Sequence, residues 1–179
     1  MRVAFSGSHR VGKSTLVAGV ARALSGYTTV DEPYDLLAEE GHEGSEAPSL
    51  EDFEAQLERS LVELEAGEAD VLFDRCPADF LAYLAVDDPA ALEDDERLER
   101  ARAAMLTLDL VVFVPVEPRD RVALEAHEDK EHRLAVHERL HELLVGDAVG
   151  VGVEILIVDG DEDERVAQVM AQIGRMDPR

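Results

Sequence analysis

The sequence predicts an α/β protein in which helices cover both faces of a five-stranded parallel sheet. Short apolar segments of strand length alternate along the 179-residue chain with longer segments whose apolar residues recur at helical spacing. The first strand-like segment runs into a loop with the pattern Gly-x-x-x-x-Gly-Lys-Ser, and a helix-like segment follows. The length suits one domain, with room for a small lid. Strands that alternate with helices in this way form parallel sheets with right-handed crossovers.

Five segments are predicted as strands because they are short and rich in apolar or β-branched residues. The first precedes the glycine pattern, and the second follows Gly26 as a run of Tyr, Thr and Val. The third and fourth are almost entirely apolar, as expected for parallel strands that are covered on both faces. The predicted strands span residues 2–6, 27–30, 71–74, 110–114 and 153–158.

Helices are predicted between these strands from the spacing of apolar residues. The clearest begins at Ser49, a candidate N-cap, with Asp52 three residues later and leucines recurring on one face. The acidic stretch at 39–49, which contains Gly and Pro, is predicted as a loop. The predicted helices span residues 13–25, 49–67, 77–86, 89–107, 131–145 and 162–175.

Composition limits the choice of partners and compartment. With 41 acidic and 17 basic residues, the chain carries a formal net charge of -24, which argues against binding to nucleic acid. It has no run of 18 apolar residues and no signal-peptide pattern, so we expect no membrane association and a cytoplasmic location. The single Cys76 cannot form an internal disulfide, in keeping with a reducing compartment. The oligomeric state is not visible in the sequence, and a homodimer is left open.

The glycine pattern has the residues and the context of a phosphate-binding P-loop. Gly7 and Gly12 have no Cβ, so the backbone can approach phosphate oxygens closely. Lys13 is expected to reach the β- and γ-phosphates of ATP, and the Ser14 hydroxyl to hold Mg²⁺. The backbone N–H groups from His9 onward are expected to face the anion. The predicted nucleotide-binding residues of this loop are Gly7, His9, Arg10, Val11, Gly12, Lys13, Ser14 and Thr15.

Asp74 ends the third strand after three apolar residues, which is the form of a Walker B aspartate. A carboxylate at this point can hold Mg²⁺ together with Ser14, although an Asp here can also cap the next helix. The residue that follows is Arg75 and not a second acid, so the pair offers a metal ligand and a phosphate-binding cation. This order favours group transfer over hydrolysis.

Motifs after three strands together resemble those of the P-loop kinases of small metabolites. They are the P-loop itself, Glu32-Pro33 after the second strand, and Asp74-Arg75-Cys76-Pro77 after the third, with Asp79 and Tyr83 beyond. The nearest groups are the deoxynucleoside kinases and the nicotinamide riboside kinase-like proteins, often filed as AAA-family ATPases of unknown substrate. The resemblance implies a three-layer P-loop NTPase fold with strand order 2-3-1-4-5. It also implies Mg-ATP-dependent phosphorylation of a small metabolite, most readily a nucleoside- or nucleotide-like one.

The resemblance assigns Glu32 to the acceptor hydroxyl, as general base or orienting group. Asp31 is the alternative, and both residues can equally belong to a solvated turn. Pro33 favours an extended backbone at Glu32, which would place the side chain near the phosphates.

Two further regions take roles from the same resemblance. The segment at about 117–133 is placed where these kinases carry a lid, and its Arg119, Arg121 and Arg133 are candidate transition-state cations. The alternative is a surface helix with ion pairs within it. Asp159 and Gly160, after the fifth strand, are expected near the nucleotide base.

One departure from the kinase pattern concerns the acceptor. Deoxynucleoside kinases usually carry a Trp soon after Glu-Pro, whereas this chain continues Tyr-Asp-Leu-Leu. The residues that remain as candidates for stacking on a nucleobase, each of which can equally be core, are Tyr34, Phe53, Phe80 and Tyr83.

The sequence contains features of two other functions, a zinc metalloprotease and a regulatory ATPase. His137-Glu-Arg-Leu-His141 satisfies the H-E-x-x-H zinc motif, but the apolar stripe of its helix leaves the histidines on a flank and no third ligand is evident. A regulatory ATPase that hydrolyses slowly and signals to a partner stays open. The chain has no Asn and therefore lacks the N-K-x-D motif that binds guanine, which argues against a Ras-like GTPase. A kinase turns over ATP faster when its small-molecule acceptor is present, whereas a regulatory ATPase does not.

Overall fold

Five parallel strands form one sheet in the order β2-β3-β1-β4-β5, which confirms the predicted order. The computed structural model describes residues 1–42, 48–117, 129–148, 150 and 152–177. Each strand lies where the sequence predicts it, with ends that differ by at most one residue. The strands are β1 (Arg2–Ser6), β2 (Thr28–Val30), β3 (Val71–Asp74), β4 (Leu110–Phe113) and β5 (Glu154–Ile157).

The helices follow the predicted alternation with two differences. A helix at Pro33–Glu39 was not predicted; Pro33 occupies its first position, where a missing N–H costs nothing. The predicted helix at 89–107 is instead a 3₁₀ turn at Pro89–Leu92 and a separate α-helix, because Asp94 caps a new start by accepting the Arg97 N–H. The described α-helices are α1 (Lys13–Ala23), α2 (Pro33–Glu39), α3 (Leu50–Glu65), α4 (Pro77–Asp87), α5 (Asp95–Met105), α6 (Lys130–Leu144) and α7 (Glu162–Met176).

Helices on both faces of the sheet enclose two apolar cores. Because successive side chains on a strand point to opposite faces, Ala4 and Val111 face one core while Val3 and Val112 face the other. Helices α3, α4, α5 and α6 close the first core, and α1 and α7 close the second. None of the described helices has the length and apolar character needed to cross a membrane.

The register of the sheet determines which residues meet at the carboxyl ends of the strands. Phe5 of β1 lies beside Asp74 of β3, and Val30 of β2 lies beside Phe73. Counting two residues onward from that second pair brings Glu32 level with Arg75. The end of β1, which leads into the glycine loop, is therefore flanked by the residues that follow β3.

Candidate active site

The loop between β1 and α1 depends on two glycines for different reasons. A Cβ added at Gly7 would lie 2.5 Å from the Val114 carbonyl oxygen, so a side chain there would collide with the backbone after β4. Gly12 is the N-cap of α1 and has φ +88°, a conformation that L-residues rarely adopt. Arg10 takes a left-handed φ of +58° without being glycine. The tight path of the loop is therefore specified by its glycines.

Lys13 lies buried inside this loop. Its ammonium group donates to the Ser8 carbonyl oxygen at 2.9 Å. Burial, followed by the charge of Arg75, lowers the pKa of Lys13 to about 8, and Glu32, Asp79 and Asp74 offset part of that shift. A phosphate group bound in the loop would place further negative charge beside this buried cation.

This lowered pKa predicts a pH dependence for phosphate binding. Above pH 8 the free protein loses the Lys13 proton, and binding a polyphosphate must restore it, so affinity should fall by up to about tenfold per pH unit. Burial raises the pKa values of Tyr83 and Cys76, so neither thiol nor phenol titrates in this interval. Isothermal titration with inorganic tripolyphosphate from pH 7 to 9.5, in buffers of different ionisation heat, measures both the affinity and the proton uptake. Lys13→Arg, which stays charged, is the control, and equal affinity across the range would contradict the prediction.

Ser14 and Asp74 form a pair suited to Mg²⁺. The Asp74 carboxylate accepts a hydrogen bond from the Ser14 hydroxyl, and its buried Oδ1 has no hydrogen-bond partner among the residues that the structure describes. Burial raises the pKa of Asp74, although Lys13 opposes the shift. A hard cation such as Mg²⁺ would give Asp74 Oδ1 a partner, so Ser14 and Asp74 fit this metal. Asp74 does not cap α4, because the N-cap is Cys76.

Arg75 joins the loop to Glu32. Its backbone has a left-handed φ of +84°, an uncommon conformation that turns the chain sharply after β3. The guanidinium donates through Nε to Glu32 Oε1 and through Nη1 to the Gly7 carbonyl at 3.2 Å. Burial alone would raise the pKa of Glu32, but Arg75 and then Lys13 lower it below its ordinary value. The structure thus brings Glu32 to the loop, whereas Asp31 is exposed.

Two side chains of α4 hold the other edge of the loop. Asp79 is fully buried and accepts the Gly7 N–H at 2.9 Å and the Cys76 N–H at 3.0 Å. The Tyr83 hydroxyl accepts the His9 N–H at 3.0 Å. The expectation that the His9 N–H faces the anion therefore differs from the structure, because a buried hydroxyl takes that donor. The sequence motifs include both residues, and Tyr83 is a stacking candidate, but neither was predicted to bind the loop. Their spacing from Arg75, at residues 75, 79 and 83, is a detectable signal of a shared side.

Two buried arginines contact the loop from other helices. Arg133, in the first turn of α6, is 2% exposed and its Nε donates to the His9 carbonyl at 3.0 Å. Arg165 of α7 donates to the Val11 carbonyl at 2.9 Å and pairs with Glu117 at 2.8 Å. Arg165 was not among the predicted site residues. It lies on the buried stripe of α7 with Val169 and Ile173, and a charged residue at that spacing from two apolar ones is a detectable signal. Arg119 and Arg121 lie outside the described residues.

The remaining predicted positions lie further from this cluster. Asp159 and Gly160 follow β5. The Gln168 side chain accepts the Asp159 N–H and donates to the Asp159 carbonyl. Their contact with a nucleotide base stays a prediction. Of the four candidate stacking residues, Tyr34 is 43% exposed; the others are buried, and Phe53 stacks on Tyr83 with ring centroids 4.7 Å apart.

The alternative zinc motif lies on α6, away from the loop. His137 stacks on Phe113 with ring centroids 5.5 Å apart, and the buried stripe of the helix is the apolar one that the sequence indicates. Over the described ranges, no group of three or more His, Cys, Asp or Glu residues is placed to hold a metal ion.

The fold and the site define a P-loop nucleotide-binding protein. The defining features are the strand order of the parallel sheet, the glycine loop before α1, and the Lys, Ser and Asp beside that loop. The chain belongs to the AAA domain family, whose model matches residues 2–165. This assignment confirms the family that the motifs indicated. No curated protein matches the sequence.

Solved structures share the fold along nearly the whole chain. Deoxyadenosine kinase from M. mycoides with bound dATP has a TM-score of 0.67 at 17% identity, and the match covers 97% of this chain and 100% of that one. The NadR protein in complex with NR has a TM-score of 0.69 at 19% identity, with 97% of this chain matching 50% of that one. Thymidylate kinase from Candida albicans has a TM-score of 0.64 at 15% identity, covering 97% and 90%. The chain therefore has the three-layer fold of these P-loop proteins.

Proposed function

We propose that this protein is a Mg-ATP-dependent phosphotransferase that acts on a small, nucleoside- or nucleotide-like metabolite. The observation that carries the proposal is the Glu32 carboxylate, bonded to Arg75 beside the P-loop that holds Lys13. A carboxylate at that point serves an acceptor hydroxyl, which a protein that only binds a nucleotide does not need. Two of the structures with the same fold are named deoxyadenosine kinase and thymidylate kinase, which supports the same assignment.

Phosphoryl transfer requires positioning and charge neutralisation more than covalent chemistry. In this proposal Lys13 and Arg75 neutralise the phosphate oxygens, and the loop holds the polyphosphate in place. Glu32 orients the acceptor hydroxyl; because its pKa is lowered, it accepts the proton late, after the oxygen has begun to bond to phosphorus. Mg²⁺, held by Ser14 and Asp74, would neutralise further charge on the phosphates when bound.

The acceptor pocket is proposed to begin at α2, which follows Glu32 directly. A small pocket between α2 and α3 is lined by Tyr34, Leu37, His42, Asp52 and Gln56. The pocket has a volume of about 10 Å³, room for about one water molecule, so an acceptor base would lie over its mouth against the exposed Tyr34 ring and not inside it.

A screen for acceptors tests the proposal. Purified protein is incubated with Mg-ATP and nucleosides, deoxynucleosides, nucleoside monophosphates or nicotinamide riboside, and ADP and phosphorylated product are both measured. A kinase releases ADP faster when its acceptor is present and forms product in equal amount. ADP release that no acceptor stimulates would instead favour a regulatory ATPase.

Glu32→Gln is expected to lower kcat by about a hundredfold or more, with little change in ATP affinity. The amide keeps the shape of the side chain and an oxygen that can accept from Arg75, but it cannot accept a proton. Steady-state kinetics with the identified acceptor, together with ATP titration, measure the two effects separately. Asp31→Asn is the matched control, since it removes the neighbouring exposed carboxylate. Should Asp31→Asn show the larger loss of kcat, the assignment of Glu32 is wrong.

A further inference from the structure

Four carbonyl groups of the P-loop accept hydrogen bonds from four buried cations. Five Lys and Arg residues are buried in the part of the chain that the structure describes, and four of them bind this one loop. In a protein of net charge -24, this concentration of buried positive charge is specific to the loop. The pairs are Arg75 with Gly7, Lys13 with Ser8, Arg133 with His9, and Arg165 with Val11.

Arg133 and Arg165 reach the loop from two different helices. They lie on α6 and α7, which pack on opposite faces of the sheet, so no single helix motion moves both. The carbonyl and the next N–H belong to one peptide group. Arg133 thus binds the peptide whose N–H is that of Arg10, and Arg165 binds the peptide whose N–H is that of Gly12.

A hydrogen bond to a carbonyl polarises the peptide and makes its N–H a stronger donor. The same bond fixes the plane of the peptide, so the N–H is oriented before any anion arrives. We propose that Arg133 and Arg165 are positioning residues, which set the affinity of the loop for phosphate by holding the His9 and Val11 carbonyls. The inference rests on the proposed function only in taking a polyphosphate as the ligand of the loop.

The placement of both arginines is costly for the fold alone. Each lies on the buried stripe of its helix, where the neighbours are apolar: Val136 and Leu140 on α6, Val169 on α7. The Nε of Arg165 is buried and has no hydrogen-bond partner in the described part of the chain. Burying a guanidinium is expensive even when it is paired, as Arg165 is with Glu117, and replacing a whole buried ion pair by apolar side chains is often neutral or stabilising. Function explains the arginines better than packing does.

The test uses Arg133→Met and Arg165→Met, which keep an unbranched apolar stem and remove the donor. Arg139→Met on α6 and Arg175→Met on α7 are the controls, because they remove the same charge from the same helices at positions outside the buried stripes. Isothermal titration with inorganic tripolyphosphate measures the loop without any acceptor. Each test variant should bind about tenfold more weakly, and the controls should bind like wild type. Arg→Lys at either site should recover part of the affinity.

A spectroscopic signature separates positioning from a general loss of structure. In ligand-free protein, the ¹⁵N resonance of Arg10 should move upfield in Arg133→Met, and that of Gly12 in Arg165→Met, because each preceding carbonyl loses its donor. Other loop amides should move less. If either methionine variant fails to fold, the corresponding Arg→Lys variant carries the same two measurements.

Unchanged tripolyphosphate affinity, unmoved amide resonances, or equal losses in the control variants would overturn the inference. Its failure is distinct from failure of the kinase proposal. A wild-type protein that binds tripolyphosphate, with variants that bind equally well, refutes the positioning role alone. A protein that shows the expected losses but phosphorylates no acceptor refutes the kinase assignment alone.

Discussion

Lys13→Ala is expected to lower kcat/KM for phosphoryl transfer by about a thousandfold or more. The ammonium group is buried in the loop, where loss of solvation and the nearby charge of Arg75 lower its pKa. A bound polyphosphate provides a counter-charge, and the charge that develops during transfer increases it. Alanine leaves the cavity without a cation at the point where the phosphates are expected. Acceptor-dependent ADP release, measured over a range of Mg-ATP concentrations at saturating acceptor, gives kcat/KM for Mg-ATP.

The chain offers a matched control for this substitution. Lys130 is its only other lysine and lies exposed at the start of α6. Lys130→Ala changes the net charge by the same amount, so both variants alter the overall field equally. We expect it to retain nearly full activity. Comparable activity in the two variants would show that Lys13 does not act on the phosphates.

The fold was predictable because each strand carries its own signal. A parallel strand that is buried on both faces must be apolar throughout, and Leu110–Phe113 shows this without ambiguity. Helix α2 was missed for a local reason. Pro33 follows a β-branched strand, and a proline there suits an extended turn and the first residue of a helix equally well.

The site was predictable where residues follow directly from the ends of strands. Asp74 is the last residue of β3, Arg75 is the next residue, and Glu32 comes two residues after β2, so the register of the sheet brings them together. Arg165 and Tyr83 come from helices, and their contact with the loop depends on how those helices rotate and pack. That rotation is determined by the whole core and has no local signal beyond a charged or polar residue on an apolar stripe.

The acidic composition makes nucleotide binding depend on the buried cations of the site. A protein of net charge -24 repels nucleotide polyphosphates at long range, and screening by salt limits this repulsion to about 10 Å. Binding therefore depends on charges inside the site. Buried cations such as Lys13 and Arg75 are screened least, so a few of them outweigh many exposed carboxylates at the distance of a bound phosphate.

Asp79→Ala is expected to have the largest effect on stability, about 3–5 kcal/mol. The carboxylate is 0% exposed and accepts the N–H groups of Gly7 and Cys76, with Arg75 Nη1 at 3.4 Å. Alanine would leave two buried N–H groups without an acceptor and would remove one of the anions that balance the buried Arg75. Urea unfolding followed by circular dichroism measures the loss.

Glu164→Ala separates this role from ordinary helix capping. Asp79 and Glu164 both occupy the third position of a capping box, in α4 and α7 respectively, but Glu164 is exposed. Its loss should cost about 1 kcal/mol, as is typical for a cap. If Asp79→Ala costs no more than Glu164→Ala, the carboxylate acts only as a cap. A much larger loss, together with weaker tripolyphosphate binding by the folded Asp79→Asn variant, would mean that one buried anion supports both the first turn of α4 and the backbone of the phosphate loop.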